Sequence, residues 1–198
     1  MSLELWNTFA TFGTFIVIAA TAIAALVQLR HARGSNQIAA LRDLQDETAA
    51  PRFADAEQVV INDLPVKLKD PEFRYYLATR CATTSENQAV RIAARDIGNH
   101  YERLGLLVKT GLVDRDLTLS LWSSNAKQLW ELLSPYLVIG RLRSGDVLWE
   151  NFEYFVVLSR EWLAAHPKGD YPANLPRIPL SNEWLEADQQ YAASRAPA

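Results

Sequence analysis

The feature that most constrains this chain is an uncharged, mainly apolar run from Phe9 to Leu29, which is followed at once by Arg30, His31 and Arg33. Its roughly 21 residues would extend about 31 Å as an α-helix, at ~1.5 Å per residue. That length matches the ~30 Å hydrocarbon core of a lipid bilayer. The run therefore predicts one transmembrane helix that anchors the rest of the chain.

A cleavable signal peptide is the alternative interpretation of this run. Ala20-Thr21-Ala22 and Ala22-Ile23-Ala24 both resemble small-residue cleavage sites. A secretory signal opens with basic residues, however, whereas the charges before this run are Glu4 and the terminal amine. Both candidate sites also lie inside the apolar run, which continues to Leu29. These features favour an anchor that is retained.

The basic residues near the run predict its orientation. Arg30, Arg33 and Arg42 follow it, and no lysine or arginine precedes it. Segments rich in these residues stay in the cytoplasm. We therefore expect a single-pass protein of the bacterial inner (plasma) membrane, with its N-terminus outside and its C-terminal domain in the cytoplasm. Trp6 would then lie at the outer headgroup interface.

The amino-acid composition of the chain limits the kinds of ligand and partner that it could bind. The single cysteine, Cys81, excludes an internal disulfide and a zinc site of several thiolates. The net charge of -3 provides no basic field for nucleic acid. The expected partners are the lipid bilayer and one or more membrane proteins, with no nucleic acid.

Beyond the run, apolar residues recur at helical spacing and strand signals are nearly absent. Asp70-Pro71 is a typical helix start, an N-cap acceptor followed by proline. A long helix should begin near Thr84-Ser85 and end at a cap formed by Gly111, and Asp114 and Asp146 should cap the next two. The pattern predicts an all-α fold, in which a single N-terminal transmembrane helix precedes a cytoplasmic helical bundle and a Pro-rich C-terminal tail.

We expect three segments: an anchor at 1–34, a helical domain at 35–165 and a Pro-rich tail at 166–198. Gly34-Ser35 could kink or loosen the helix as it leaves the membrane. Four prolines exclude a helix across the first part of the tail: Pro167, Pro172, Pro176 and Pro179. The last two fit a PxxP motif for an SH3-type partner, but packing on its own domain is the favoured interpretation. Residues 181–194 could form a terminal helix capped by Ser181.

Two sets of apolar side chains are candidates for the core. Five leucines after Asp114 recur at helical spacing: Leu117, Leu121, Leu129, Leu133 and Leu137. Four tryptophans could line a ligand pocket, although their spacing favours a place in the core: Trp122, Trp130, Trp149 and Trp162.

Two blocks of sequence resemble a known family. Residues 101–108, Tyr-Glu-Arg-Leu-Gly-Leu-Leu-Val, and residues 150–154, Glu-Asn-Phe-Glu-Tyr, are similar to the bacterial proteins grouped as domain of unknown function 4760. Gly111-Leu112-Val113, Trp130 and the Gln28-Leu29-Arg30 exit add to the likeness, which covers roughly residues 6–162. The resemblance implies one membrane helix followed by a helical cytoplasmic domain. It implies no activity, cofactor or catalytic residue.

Motifs for phosphate, dinucleotide or zinc binding are absent from the sequence, so no cofactor or metal is expected. Asp96 and His100 lie one helical turn apart and could act as acid and base or as two metal ligands. An ion pair on the solvated face of a helix is the favoured interpretation. His31, next to arginines at a membrane exit, is interpreted as an interface residue rather than a haem ligand.

Glu153 lies among Phe152, Tyr154 and Phe155. A carboxylate buried there would need a cation, such as Arg103 or Arg141. We expect a buried ion pair that joins two helices, with a catalytic acid as the alternative.

Five residues of the apolar run recur on one face at helical spacing, and three of them are small: Gly13, Val17, Ala20, Ala24 and Val27. Small residues let a second helix approach closely in a bilayer. We expect this face to contact a partner helix. Together these features predict a non-catalytic accessory or scaffold subunit of a membrane-associated complex. The alternatives are a membrane-bound enzyme or a ligand sensor that acts on a lipid or membrane-borne substrate.

Overall fold

The computed structural model describes residues 3–195, except for seven side chains: Leu3, Glu4, Leu5, Thr8, Phe9, Ala10 and Arg33. Predictions that concern residues 1–2, residues 196–198 or the side chains of Phe9 and Arg33 lie outside the described residues. The described part forms eight helices and no strand, which confirms the all-α prediction. Their bounds are α1 Leu3–Ala49, α2 Pro51–Asn62, α3 Leu64–Lys67, α4 Pro71–Thr79, α5 Ser85–Lys109, α6 Arg115–Ser144, α7 Glu150–Ala165 and α8 Leu185–Arg195.

Helix α1 has 47 residues and is therefore about 70 Å long. Its apolar part is long enough to cross a membrane, with a mean hydropathy of 2.2 over the best window and no buried residue in it. The helix is continuous through Gly34-Ser35, where the sequence allows a kink or loosening. Further on, Ala40, Leu41 and Leu44 pack against the rest of the domain.

Helix α5 lies at the centre of the bundle and packs against α2 on one side and α7 on another, while α6 packs against α7. Two glycines of α5 allow α7 to approach closely. A Cβ on Gly98 would overlap the Trp149 ring, and one on Gly105 would overlap the backbone oxygen of Asn151. The α5–α7 contact therefore depends on the absence of side chains at these positions.

Three of the predicted helix starts are confirmed. The side chains of Asp70, Thr84 and Asp114 each accept a hydrogen bond from a backbone N–H two or three residues on, at 2.9, 3.2 and 2.8 Å. Gly111, at φ 69°, ends α5, and Leu112 N donates to the Leu107 carbonyl at 3.0 Å. This is the left-handed glycine ending expected of a helix.

The prediction that Asp146 caps α7 is wrong. The N-cap residue is Trp149, which has φ 55° and provides no side-chain acceptor. The first turn of α7 instead receives an acceptor from α5, as described below.

The leucine face predicted for α6 is correct only in its C-terminal half. Leu129, Leu133 and Leu137 are buried, whereas Leu117 and Leu121 are about half exposed. Each four-residue step along an α-helix turns about 40° past a full circle. Over twenty residues the drift reaches about 200°, so the two ends of the leucine series cannot face the same core.

Residues from Lys168 onward form a second unit. Its first part is irregular, and α8 begins at Leu185 rather than after a Ser181 cap. Within this unit, the Tyr171 hydroxyl donates to the Pro176 carbonyl at 3.0 Å, and Arg177 lies over the Tyr171 ring at 4.8 Å.

Candidate functional site

A cleft of about 530 Å³ lies where the end of α1, the start of α2 and the middle of α5 meet. Its wall combines charged, amide and apolar side chains: Glu47, Ala50, Arg52, Phe53, Ala56, Asp96, Asn99 and Arg103. The cleft exists because the chain turns sharply between α1 and α2. Ala50 is extended (φ -68°, ψ 136°), as residues before proline usually are, and Pro51 opens α2.

Glu47, near the end of α1, bonds to two residues of α5. Its Oε2 lies 2.9 Å from His100 Nδ1, and Arg103 Nη2 lies 2.5 Å from both carboxylate oxygens. Positions 100 and 103 are nearly one helical turn apart, so one carboxylate can reach both. We call this set of three residues the Glu47 clamp. It ties α1 to the centre of the bundle.

His100 is fully buried beneath the cleft. The rings of Phe53 and Tyr101 meet it edge-on, at centroid distances of 4.8 and 5.2 Å. Burial lowers the pKa of His100 below its ordinary value, which outweighs the opposite effect of Glu47, and Arg103 lowers it further. In the neutral ring, the proton must sit on Nδ1, because a carboxylate can only accept. Nε2 then has no partner among the described residues.

The other two charged residues of the cleft also pair. Arg52 Nη2 lies 2.5 Å from Asp96 Oδ2, and Arg95 approaches the other oxygen at 3.4 Å. Arg52 and Arg103 each use a single nitrogen for their ion pairs, whereas a guanidinium carries five N–H donors. The cleft could therefore accept an anionic group without breaking either pair.

The predicted pair of Asp96 and His100 does not form. Asp96 bonds to arginines at the cleft wall, while His100 is buried and bonds to Glu47, so the expectation of a solvated ion pair between them is wrong. Asp96 and His100 do lie one turn apart in the same helix, as predicted. This spacing does not decide which neighbouring helix each side chain contacts. No three His, Cys, Asp or Glu side chains come together as a metal site in the part of the chain that the structure describes.

Glu153 of α7 pairs with Arg141 of α6 at 2.6 Å, which confirms one of its two predicted partners and the predicted ion pair between two helices. Its predicted burial is wrong, because the Glu153 side chain is 49% exposed. Phe152 and Phe155 are buried on the inner face of α7, and each residue turns the helix by about 100°. Position 153 therefore points away from that face. Arg103, the other predicted partner, belongs to the Glu47 clamp.

Another carboxylate that joins two helices is Glu102, whose role no local sequence pattern predicts. Its oxygens accept hydrogen bonds from Asn151 N at 3.0 Å, Asn151 Nδ2 at 2.7 Å and Phe152 N at 2.9 Å. Glu102 of α5 thus caps the first turn of α7, which has no acceptor of its own. Glu47 and Arg52 were missed as well. No local pattern reveals contacts between residues about fifty positions apart.

The four tryptophans named as core candidates lie in or against the core, as their spacing predicts. Trp149 stacks on Tyr136 at 5.7 Å and donates from Nε1 to Asn99 Oδ1 at 3.1 Å. Trp130 meets Phe152 edge-on at 5.0 Å.

The face predicted to contact a partner helix is uncovered in this single chain. All five of its residues are exposed: Gly13, Val17, Ala20, Ala24 and Val27. His31 is exposed on the same helix.

The two sequence blocks that resemble a family meet in the structure, where Tyr101 stacks on Phe152 at 4.9 Å and Glu102 caps α7. A family model described as Domain of unknown function (DUF4760) matches residues 15–162. The chain belongs to this family. The DUF4760 match includes most of the apolar part of α1 as well as the bundle, so one family model covers both. No curated protein and no solved structure matches the chain.

Proposed function

We propose that the chain is a non-catalytic accessory or scaffold subunit that holds a helical domain at the bacterial inner membrane. The observation that supports this most is the contrast along α1. Its second half packs against the domain through Leu44, which is buried. Between residues 12 and 29 the helix exposes nine large apolar side chains: Phe12, Phe15, Ile16, Val17, Ile18, Ile23, Leu26, Val27 and Leu29. An exposed apolar surface of this length fits the hydrocarbon core of a bilayer.

The proposed topology is a single pass with the helical domain in the cytoplasm. Arg30, Arg33 and Arg42 follow the apolar run. Basic residues close to a span favour the cytoplasmic side.

A scaffold role is consistent with how α1 joins the domain. The helix continues from the apolar part to the Glu47 clamp without interruption. A protein that binds α1 inside the bilayer would therefore hold the whole domain in a defined position. The face of Gly13, Ala20 and Ala24 is our proposed contact, because helix association in lipid depends on close packing.

Substitution on this face tests the proposal. Ala20→Leu combined with Ala24→Leu should release co-purifying membrane proteins while leaving the chain in the membrane, as judged by carbonate extraction. Ala22→Leu combined with Ala25→Leu adds the same bulk on the other side of the helix. This control should retain the partners.

The measurement is quantitative mass spectrometry of proteins that co-purify after gentle detergent extraction. Equal recovery of partners with both double variants would contradict a partner contact on this face. Extraction of the unaltered chain by carbonate would contradict the membrane anchor itself.

A ligand sensor is a second candidate, supported by the position of the cleft where α1 joins the domain. Glu47 lies eighteen residues beyond Leu29, which corresponds to about 27 Å of helix. A soluble anion therefore suits the cleft better than a lipid headgroup. Inorganic phosphate or citrate should raise the melting temperature of the unaltered chain and have a smaller effect on Arg52→Ala. No shift with either anion would contradict this candidate.

A further inference from the structure

The end of α5 is the part of the bundle that lies beside α1 nearest to its apolar run. The residues of α5 that follow Arg103 have neighbours in α1 that lie progressively closer to the apolar run. Arg103 contacts Glu47, Leu107 shares a depression with Ala40, and the turn after α5 shares one with Asn36 and Gln37. The two helices thus run in opposite directions, and the turn of residues 110–112 approaches the span.

The length of α1 between the end of its apolar run and the residues beside this turn gives the height of the turn above the hydrocarbon core of the bilayer. Leu29 ends the apolar run, and Gln37 lies eight residues later, or about 12 Å along the axis. The headgroup layer on each side of a bilayer is about 5–7 Å thick. Neighbouring helices lie about 8–10 Å apart, so a typical tilt of about 20° towards α5 lowers the turn by about 3 Å. The turn then lies next to the headgroups.

The side chains around this turn suit such a position. Val113 is buried and fixes the turn to the core, whereas Leu112 is 54% exposed. Three further leucines on the adjoining turns of α5 and α6 are about half exposed: Leu106, Leu117 and Leu121. Within residues 109–116 the charges cancel, since Lys109 and Arg115 accompany Asp114 and Asp116, and Lys109 also pairs with Glu150 of α7 at 3.7 Å. Apolar side chains without net charge favour contact with lipid independently of the headgroup charge.

We propose that the turn after α5, with Leu112 at its tip, is a second membrane contact and rests against the headgroup layer of the bilayer. This inference rests on the proposed membrane anchor. The domain is then held at two points, the span and the turn. Lateral swinging about the exit of α1 would be restricted.

Fluorescence of labelled cysteines tests this contact in the full chain. The exposed Cys81 is first replaced by serine. Leu112→Cys then carries an environment-sensitive dye, and the chain is reconstituted in phosphatidylcholine vesicles. We expect a blue shift of the emission, loss of quenching by aqueous iodide and gain of quenching by lipids that carry a headgroup spin label. High salt should not reverse these changes.

The matched control is Val66→Cys, which has a similarly exposed apolar side chain (65%). Lys67, its neighbour, pairs with Glu86 in the first turn of α5, at the opposite end of that helix. Its dye should remain accessible to iodide. If Leu112→Cys does not fold, Thr110→Cys in the same turn replaces it, with the same expected result.

A third label, at Ala20→Cys within the span, separates the two proposals. Iodide access at Ala20 would contradict the membrane anchor. Protection at Ala20 with a water-exposed dye at residue 112 would contradict only the second contact, and would indicate that the turn is free of the membrane. Equal protection at residues 112 and 66 would also contradict it, because the contact would not be specific to the turn.

Discussion

Glu102 caps the N-terminus of α7, a role that usually belongs to the residue just before a helix. The first backbone N–H groups of a helix have no partner within it. In α7 two of them donate to Glu102, which lies about fifty residues earlier in the chain. The carboxylate also stands where the positive end of the α7 dipole favours a negative charge.

Removing this carboxylate should destabilise the fold clearly. Glu102→Ala leaves the N–H groups of Asn151 and Phe152 without an acceptor, and we expect a loss of about 2 kcal/mol in the free energy of unfolding. Glu153→Ala is the matched control, because the Glu153 side chain is about half exposed and its ion pair with Arg141 should contribute less than about 1 kcal/mol. Chemical denaturation of the detergent-solubilised chain measures both. A larger loss for Glu153→Ala than for Glu102→Ala would contradict the capping role.

His100 should make stability depend on pH in a defined direction. Above its ordinary pKa of 6.5, the ring is neutral in both the folded and the unfolded chain, so it has no effect on the pH dependence. As the pH falls below that value, the unfolded chain binds a proton that the folded chain, with its lowered pKa, does not. Stability should therefore decrease on acidification until the lower, folded-state pKa is reached.

The variant His100→Gln should lose this part of the pH dependence. The comparison is between slopes of melting temperature against pH, from about pH 7 to about pH 5, because the substitution also removes a bond to Glu47. His166→Gln leaves His100 in place and should retain the slope. Identical slopes for the unaltered chain and His100→Gln would show that the buried ring does not control this response.

Helices α5 and α7 pack closely because α5 has glycine at two contact positions. A side chain at Gly105 would meet backbone atoms of Asn151, which cannot rotate away as the end of a side chain could. At Gly34 of α1, in contrast, an added Cβ would meet no other atom within 4 Å.

The two positions should respond in opposite ways to alanine. Gly105→Ala should lower the free energy of unfolding by about 1–3 kcal/mol, through forced separation of the helices. Gly34→Ala should leave stability unchanged or raise it by up to about 1 kcal/mol, because alanine favours a helix more than glycine does. Thermal unfolding followed by circular dichroism distinguishes the two. A neutral Gly105→Ala would mean that α7 does not approach α5 as closely as described.

The chain should have one orientation in the membrane. A reporter that is active only in the periplasm, joined after Ala198, should be inactive, and one that is active only in the cytoplasm should be active. The same periplasmic reporter behind a secretory signal is the positive control. Activity of the periplasmic fusion to this chain would reverse the proposed topology.

Much of the helical structure could be predicted because its signals are local. Asp70, Thr84 and Asp114 cap helices through bonds to residues two or three positions away. A cap of this kind does not depend on the rest of the fold. The apolar run is equally local, since its length alone can be compared with the thickness of a bilayer.

Contacts of the candidate site could not be predicted in the same way. Glu47 and His100 are 53 residues apart, and Glu102 and Asn151 are 49 apart. Each carboxylate had several basic or N–H partners available in the sequence, and only the packing of α1, α5 and α7 selects among them. The error at Glu153 has the same origin, because flanking aromatic residues do not reveal which side of α7 faces the core.

Local sequence signals alone determined where α4, α5 and α6 begin, that the chain is all-α and that one helix is apolar enough to span a bilayer. Those properties follow from bonds within a turn and from the hydrophobicity of consecutive residues. Tertiary structure decided that His100 is buried, that Glu102 caps α7 and that the turn after α5 lies beside α1. Each of these depends on the distance between helices far apart in sequence, which side-chain volume and close packing set only when the chain is folded.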